Sequence, residues 1–263
     1  MNIALYGPGR AGGSLVIAAS RVGHTITSID GRDDQAVSEL TRLVELGDAE
    51  PDLLVLAVSD DAIPTISAHI DFDALPPSVV HMSGAVPVSA LAPFRDAGSA
   101  IGSFHPLQTM PSPLAGADRL RGASVAVTAT EDLARSLEDL ARSLGCVPFR
   151  ISDQYKPLDH AGAAAAANFT MTALGIAHDL FEAAGVDPAS SRPLVEAIVA
   201  NAFEIGPRSA LTGPIARGDV ATVAAQVDAV KSDAPEAVDA FVAMAKATAV
   251  YSGRSEEFAE VLG

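Results

Sequence analysis

The sequence predicts an α/β protein, with a doubly wound parallel sheet over residues 1–152 and a smaller all-α domain over 153–263. Three observations lead there. Short β-like runs alternate with helix-like runs as far as residue 151. A glycine-rich turn joins the first strand-like run to the first helical one. From about Pro157 onward no convincing strand pattern remains.

The strand-like runs are residues 3–6, 25–29, 53–58, 79–82, 100–104 and 124–128, and a short run at 147–151 closes the set. Residues 12–22, 34–46, 63–70 and 131–144 have the helical period. Alternation of this kind implies a parallel sheet covered on both faces. Residues 106–122 are rich in proline and glycine and predict an irregular loop. In the second half, residues 157–184 predict one helix. Pro157 suits its first turn and Gly185 its C-cap, and at ~1.5 Å per residue it spans ~42 Å. Further helices are expected at 188–205, 219–230 and 235–251, with the domain boundary near Ser152 to Gln154.

Composition excludes several functions. Hydrophobic residues make up 49% and charged residues 19%, enough apolar material for a sizeable core. There is no tryptophan, so packing rests on small and aliphatic side chains. The net charge of −16 repels nucleic acid and anionic membranes. It does not prevent binding of an anionic cofactor, because local backbone dipoles and one or two arginines suffice. Cys146 is the single cysteine, so no internal disulfide forms. No run approaches the ~18 apolar residues of a membrane span; residues 161–167 are apolar, but Asn168 ends the run. The chain opens directly on strand-like residues without a basic and apolar leader, so a soluble cytoplasmic protein is expected. No histidine, cysteine or carboxylate spacing matches a metal site, and the G-x-S-x-G elbow of a serine hydrolase is lacking.

Gly7-Pro8-Gly9-Arg10-Ala11-Gly12 is a G-x-G-x-x-G sequence placed after a strand and at the start of a helix. The first glycine permits a tight turn, the second lets backbone approach a pyrophosphate, and the third lets helix and strand pack closely. The helix N-terminus offers free N–H groups and a positive dipole end to phosphates. This is the pattern of a Rossmann dinucleotide site. Asp30, at the end of the second strand, suits a ribose 2′-hydroxyl and NAD, whereas Arg32 suits a 2′-phosphate and NADP. Val58 and Ser59 end the third strand, where such sheets line the ligand crevice.

Candidates for chemistry follow at the next strand ends. His81-Met82-Ser83-Gly84 ends the fourth strand, and Phe104-His105-Pro106-Leu107-Gln108 the fifth. Each histidine suits proton transfer near neutral pH, or else is a packed or capping residue. Gln108 is placed to hydrogen-bond a substrate. His160 and Asn168 are the polar points of an alanine-rich helix. Eight residues apart in a regular α-helix, they share a broad face, as a site or as a polar pair in a helix interface. Lys156, one of three lysines, reads as exposed, with polarisation of a carbonyl as the alternative. Arg217, in Leu211-Thr212-Gly213-Pro214-Ile215-Ala216-Arg217-Gly218-Asp219, suits bidentate binding of a carboxylate or a structural salt bridge, and Asp219 suits a helix cap.

Taken together, the glycine loop, His81 to Gly84, His105 to Thr109, His160 to Asn168 and the stretch from Leu211 to Asp219 resemble the 6-phosphogluconate dehydrogenase-like superfamily. More closely, they resemble the family that pairs an N-terminal Rossmann-like domain with a C-terminal helical domain of unknown function. The resemblance implies an NAD(P)-dependent oxidoreductase transferring a hydride between NADP or NAD and a small carbonyl or hydroxy acid, with a 2-keto acid such as ketopantoate as substrate class. It implies a nicotinamide near Ser59 and Ser83 and a homodimer formed through the helical domain. The superfamily's lysine falls on Ala164, although Asn168 fits its asparagine. The expected proton donor is His105 or His160, with Lys156 left open, while Asn168 orients the carbonyl and Arg217 holds a carboxylate. A non-catalytic nucleotide sensor and an NADP-dependent deazaflavin reductase are the alternatives.

Overall fold

Seven strands form one sheet in a computed structural model that describes residues 1–69 and 75–263. They are β1 (Asn2–Tyr6), β2 (Thr25–Asp30), β3 (Leu53–Leu56), β4 (Ser78–His81), β5 (Ala100–Leu107), β6 (Ser124–Ala129) and β7 (Val147–Arg150), in spatial order β2-β1-β3-β4-β5-β6-β7. Strands β2 to β5 are parallel to β1, whereas β6 pairs antiparallel with β5, and β7 then runs parallel to β6. The sheet is thus mostly, not wholly, parallel. From β1 the chain runs to β2 on one side and then crosses to β3 on the other. The carboxyl ends of β1 and β3 therefore flank a switch point, the usual place for a ligand crevice.

Helices cover both faces: α1 (Arg10–Arg21), α2 (Asp34–Thr41), α3 (Ala62–His69), α4 (Ala92–Asp96), α5 (Pro113–Arg119), α6 (Glu131–Ser143) and α7 (Lys156–Ala164). On one face Leu15, Val55, Phe104, Val125 and Leu137 join the main core; on the other Leu54, Leu56, Ile63, Val79 and Phe94 form a second cluster. Alternate residues of β3 go to opposite faces, as the two-residue strand period requires.

Two local expectations are corrected. The loop at 106–122 contains α5, which starts with Pro113 and is capped by the Ser112 hydroxyl accepting from Ala115 N–H. Helix α5 packs on α1, and a Cβ at Gly13 would lie 2.9 Å from the Pro113 side chain. Helix α2 ends at Thr41, not Leu46, because the chain turns away and Leu46 bridges to Ile26 beside β2. The end of the helix expected at 63–70 lies outside the described residues.

Cys146 is buried, its thiol donates to the Leu120 carbonyl at 3.1 Å, and burial pushes its pKa up to about 11.

The chain divides into two compact units, Met1–Ala163 and Ala164–Gly263. Within the second, α8 (Thr170–Ala183), α9 (Arg192–Ile205), α10 (Pro207–Ala210), α11 (Pro214–Arg217), α12 (Val220–Asp233), α13 (Val238–Ser252) and α14 (Ala259–Leu262) follow one another. Its core is Val223 and Val227 of α12, Ala245 and Ala249 of α13, Phe258, and Leu262 of α14. The helix expected at 157–184 is not regular throughout. Residues Ala165–Phe169 form a π-helical segment between α7 and α8. The α-helical period on which a shared face for His160 and Asn168 rests is interrupted there. Gly185 does follow the helix in the left-handed region, at φ 71°. Among the described residues, no helix is long and apolar enough to cross a membrane.

Phe104 of β5 is 1% exposed and lies in the main core. Phe104→Ala is expected to lower the unfolding free energy by about 3–5 kcal/mol, measured by urea denaturation. A loss near zero would contradict the packing of β5 described here.

Candidate active site

Tyr6 ends β1, and Gly7 turns the chain at φ 109°, its N–H donating to the Asp30 carbonyl at 2.8 Å. A Cβ at Gly7 would lie 2.4 Å from the Ala57 carbonyl oxygen, and one at Gly12 would lie 2.4 Å from the Gly7 carbonyl oxygen. These two glycines let β1, β3 and α1 approach one another. Gly9 is different: nothing lies within 4 Å of its missing side chain. It is the N-cap of α1 and provides no side-chain cap, and the first turn carries no acidic residue. The helix thus presents its positive end and uncapped N–H groups to open space, which fits a phosphate. Pro8 and Ala11 are half-buried beside it and Arg10 is exposed. Asp30 and Arg32 are both exposed at the end of β2, and Val58 and Ser59 follow β3.

A second group of residues gathers where β4 ends. His81 pairs with Ser103 of β5, but β5 continues to Leu107 and so passes beyond β4. The overhang sets His105 beside the turn that follows His81. Its Nδ1 lies 3.0 Å from the Met82 carbonyl oxygen, which can only accept, so Nδ1 carries the proton. The neutral ring then keeps a lone pair on Nε2. Gly84 is needed here, because a Cβ would lie 2.6 Å from that Nε2. Burial is the main influence lowering the His105 pKa from 6.5, and the nearby His160 and Lys156 act in the same direction. The Met82 hydrogen bond and Asp159 oppose them. The half-buried imidazole is thus held toward its neutral form. The exposed ring of His160 sits edge-on to it, with centroids 6.0 Å apart.

His81 is fully buried and has the opposite tautomer. The Ser83 N–H donates to its Nδ1 at 3.2 Å, leaving the neutral ring's proton on Nε2. Burial, reinforced by Lys156, pushes its pKa down to about 3. Ser83 also binds its own turn, its hydroxyl accepting from Ala85 and Val86 N–H groups at 3.1 and 3.0 Å. Lys156, at the start of α7, is 2% exposed, which corrects the expectation of an exposed lysine. Its ammonium donates to the Ser103 hydroxyl at 2.8 Å and the Ser83 carbonyl at 3.3 Å. Burial lowers its pKa to about 8 against the opposing pull of Asp153, Asp60 and Asp159.

Gln108, in the same unit, does not join this group. Gln108 is exposed and engaged locally, its side-chain oxygen accepting from Thr109 N–H at 2.8 Å and its amide donating to the Arg119 carbonyl at 3.3 Å. Asn168 and Arg217 belong to the helical unit. Asn168 lies in the π-helical segment and is exposed. Arg217 ends α11 and is exposed, and Asp219 caps α12 by accepting from Thr222 N–H at 3.1 Å. Ser103 is the polar neighbour that the sequence reading did not assign to the site, and Lys156 is one it weighed but read as exposed. The only available signal for Ser103 is its place two residues before His105, on the same face of the strand.

Comparison with known proteins follows this geometry. Residues 123–248 match the family model described as a domain of unknown function, DUF2520. That region runs from the residue before β6 into α13 and includes Lys156, His160, Asn168 and Arg217. Among solved structures, a candidate NADP oxidoreductase from Bacteroides fragilis is 20% identical, with a TM-score of 0.80 over 94% of this chain and 97% of that one. An imine reductase from Streptomyces aurantiacus is 15% identical, with a TM-score of 0.70 over 100% and 98%. A reductive aminase from Aspergillus terreus, in complex with NADPH and ethyl levulinate, is 14% identical, with a TM-score of 0.67 over 97% and 95%. No curated protein sequence matches the chain. The DUF2520 match bears out the resemblance to a family with a domain of unknown function, and the solved structures bear out the expected fold.

The pKa of His81 makes stability depend on pH. The ring is neutral in the folded chain down to about pH 3 but protonates near 6.5 when unfolded. The unfolded state therefore binds the extra proton below 6.5. The stability linked to His81 is fully present above that pH and is lost as pH falls toward 3, by up to about 1.4 kcal/mol per pH unit. Urea denaturation of wild type and His81→Gln between pH 7 and 4 should show a shallower slope in the variant. Equal slopes would refute a buried neutral His81.

Proposed function

We propose that this chain is an NAD(P)-dependent oxidoreductase acting on a small carbonyl or hydroxy acid, with 2-keto acids such as ketopantoate as its substrate class. One juxtaposition carries the reading. The carboxyl edge of a single sheet holds both an uncapped, acid-free helix N-terminus behind a glycine loop and a neutral histidine with its Nδ1 already committed. The fold shared with an imine reductase and a reductive aminase supports it. The glycine loop, from Gly7 to Gly12, would hold the pyrophosphate. Asp30 and Arg32 would meet the adenosine ribose, leaving NAD and NADP both open as cofactors. Val58, Ser59 and Ser83 would border the nicotinamide end. A nicotinamide dinucleotide, when bound, supplies the hydride chemistry.

The chain's own residues move the proton. With Nδ1–H donated to Met82, the lone pair on Nε2 of His105 accepts the proton of a substrate hydroxyl in the oxidation direction. In the reduction direction the protonated ring returns it. His160, exposed and edge-on to His105, exchanges that proton with solvent. In the helical unit, Asn168 is assigned to orienting a carbonyl and Arg217 to binding a carboxylate. Gln108 keeps a substrate role only if its local hydrogen bonds open.

A homodimer through the helical unit is part of the same proposal. Helices α8 and α9 bury no residue, and Met171, Leu194, Ile198 and Phe203 are exposed, Phe203 to 90%. So much exposed apolar surface on two consecutive helices fits a covering partner, and the partner proposed is a second copy of this chain.

Fluorescence titration with NADH and NADPH, followed by assays with 2-keto acids, tests the reading. Tight cofactor binding without turnover of any carbonyl would overturn it in favour of a nucleotide sensor. His105→Ala is expected to lower kcat about 10²–10⁴-fold while leaving cofactor affinity unchanged. In wild type, oxidation should rise with pH through a midpoint below 6.5 as the ring becomes neutral, and reduction should fall through the same midpoint. Full activity in the variant would rule out His105 as the proton carrier. Phe203→Glu is expected to shift a dimer to monomer in sedimentation velocity, and an unchanged sedimentation coefficient would contradict the proposed interface.

A further inference from the structure

Lys156 is an unusual side chain. A lysine is rarely buried without a paired carboxylate, yet this one is 2% exposed and its two hydrogen bonds go to neutral oxygens. No carboxylate lies within salt-bridge distance of it among the described residues. The groups that face it come from every surrounding element: Asp60 after β3, His81 at the end of β4, His105 on β5, and Asp153 and Asp159 on either side of it. His160, one turn further along α7, sits edge-on to His105 with ring centroids 6.0 Å apart. Keeping an ammonium in such a place is costly, so the contacts it makes must hold something in position.

Those contacts have a shared target. Ser103 and His105 are two residues apart on β5 and lie on one face of the strand. Lys156 binds the Ser103 hydroxyl, while His105 binds the Met82 carbonyl. One residue beyond Met82, the Ser83 carbonyl accepts from Lys156 as well. Ser83 itself is held at three points: its N–H on His81, its hydroxyl under Ala85 and Val86, and its carbonyl on Lys156. The carbonyl that fixes the His105 tautomer therefore belongs to a turn whose outer anchor is the Lys156 ammonium.

We propose that Lys156 is a positioning residue for His105: by joining the Ser83 carbonyl to the Ser103 hydroxyl it fixes the turn at 82–86, and the turn fixes the tautomer and orientation of the imidazole. This rests on the reading of His105 as the proton-transfer group. It assigns Lys156 no contact with substrate or cofactor.

The test reads His105 directly, in the full-length protein without substrate. Long-range ¹H–¹⁵N spectra of ring nitrogens give tautomer and titration midpoint for wild type, Lys156→Met, Lys156→Arg and Ser103→Ala. Wild type should show His105 protonated on Nδ1. Lys156→Met should mix the two tautomers and move the midpoint upward. It should also lower kcat on the order of tenfold to a hundredfold with little change in KM, since small displacements of a reacting group cost that much. Lys156→Arg should restore the tautomer, at least in part. A wild-type tautomer in Lys156→Met overturns the proposal whatever the midpoint, because loss of the ammonium's charge raises the midpoint by itself. Should that variant fail to fold, Ser103→Ala removes a single acceptor and must still weaken the Nδ1–H preference; an unchanged spectrum there overturns it too. Full activity in His105→Ala would defeat the catalytic reading and leave the spectral outcome standing on its own, so the two failures are distinguishable.

Discussion

The candidate site depends on β5 being longer than β4. The two strands are in register through His81 and Ser103, and β5 then runs on to Leu107. An unpaired overhang would leave its backbone groups without partners on both sides. Antiparallel β6 meets that need, reaching from Gly102 opposite Ala129 to Leu107 opposite Ser124. The reversal of β6 and the position of His105 are thus linked: the strand that departs from parallel order supports the segment carrying the histidine. Once β5 projects this way, the two-residue period sends Ser103 and His105 to one face and Phe104 into the core on the other.

Electrostatics then act locally against the general trend of the molecule. A chain with net charge −16 would be expected to favour protonated histidines and lysines. Here His81, His105 and Lys156 all have lowered pKa values, and burial is the largest cause in each case. Desolvation outweighs the surrounding carboxylates although Asp153 and Asp159 are themselves half-buried, and neither they nor Asp60 forms an ion pair with Lys156: its hydrogen bonds go to Ser103 and Ser83, and Asp153 accepts from Val88 N–H. The two histidines also take opposite tautomers, set by a backbone donor in one case and a backbone acceptor in the other. Neighbouring imidazoles of the same residue type are thereby given different capacities: one is sealed and structural, and the other keeps a lone pair near the surface.

Much of this was legible in the sequence, and the missing parts have physical explanations. The glycine loop could be read because its spacing follows a strand and opens a helix, and Gly7 and Gly12 answer the steric needs of that turn. The histidines could be placed because the short apolar runs of buried parallel strands stop where polar residues begin. The orientation of β6 left no such mark, since a strand's composition reflects its burial and not its direction. Helix α5 was hidden by Pro113, which breaks a helix in its interior and favours one at its first turn. Lys156 was misjudged because lysine burial is decided by distant partners, Ser83 and Ser103, that no local pattern connects to it. The π-helical segment was masked by alanines, whose uniform side chains carry no periodic signal.

The single cysteine has a practical consequence. Cys146 is shielded from solvent, bonded to a backbone carbonyl and held in its unreactive thiol form. A thiol reagent can therefore modify the native chain only when the region between α6 and β7 opens. Its labelling rate becomes an intrinsic clock for that opening, built into the protein without any engineered probe. Cysteines introduced elsewhere on the surface would react well before it, so dyes or spin labels could be attached selectively without first removing the natural thiol.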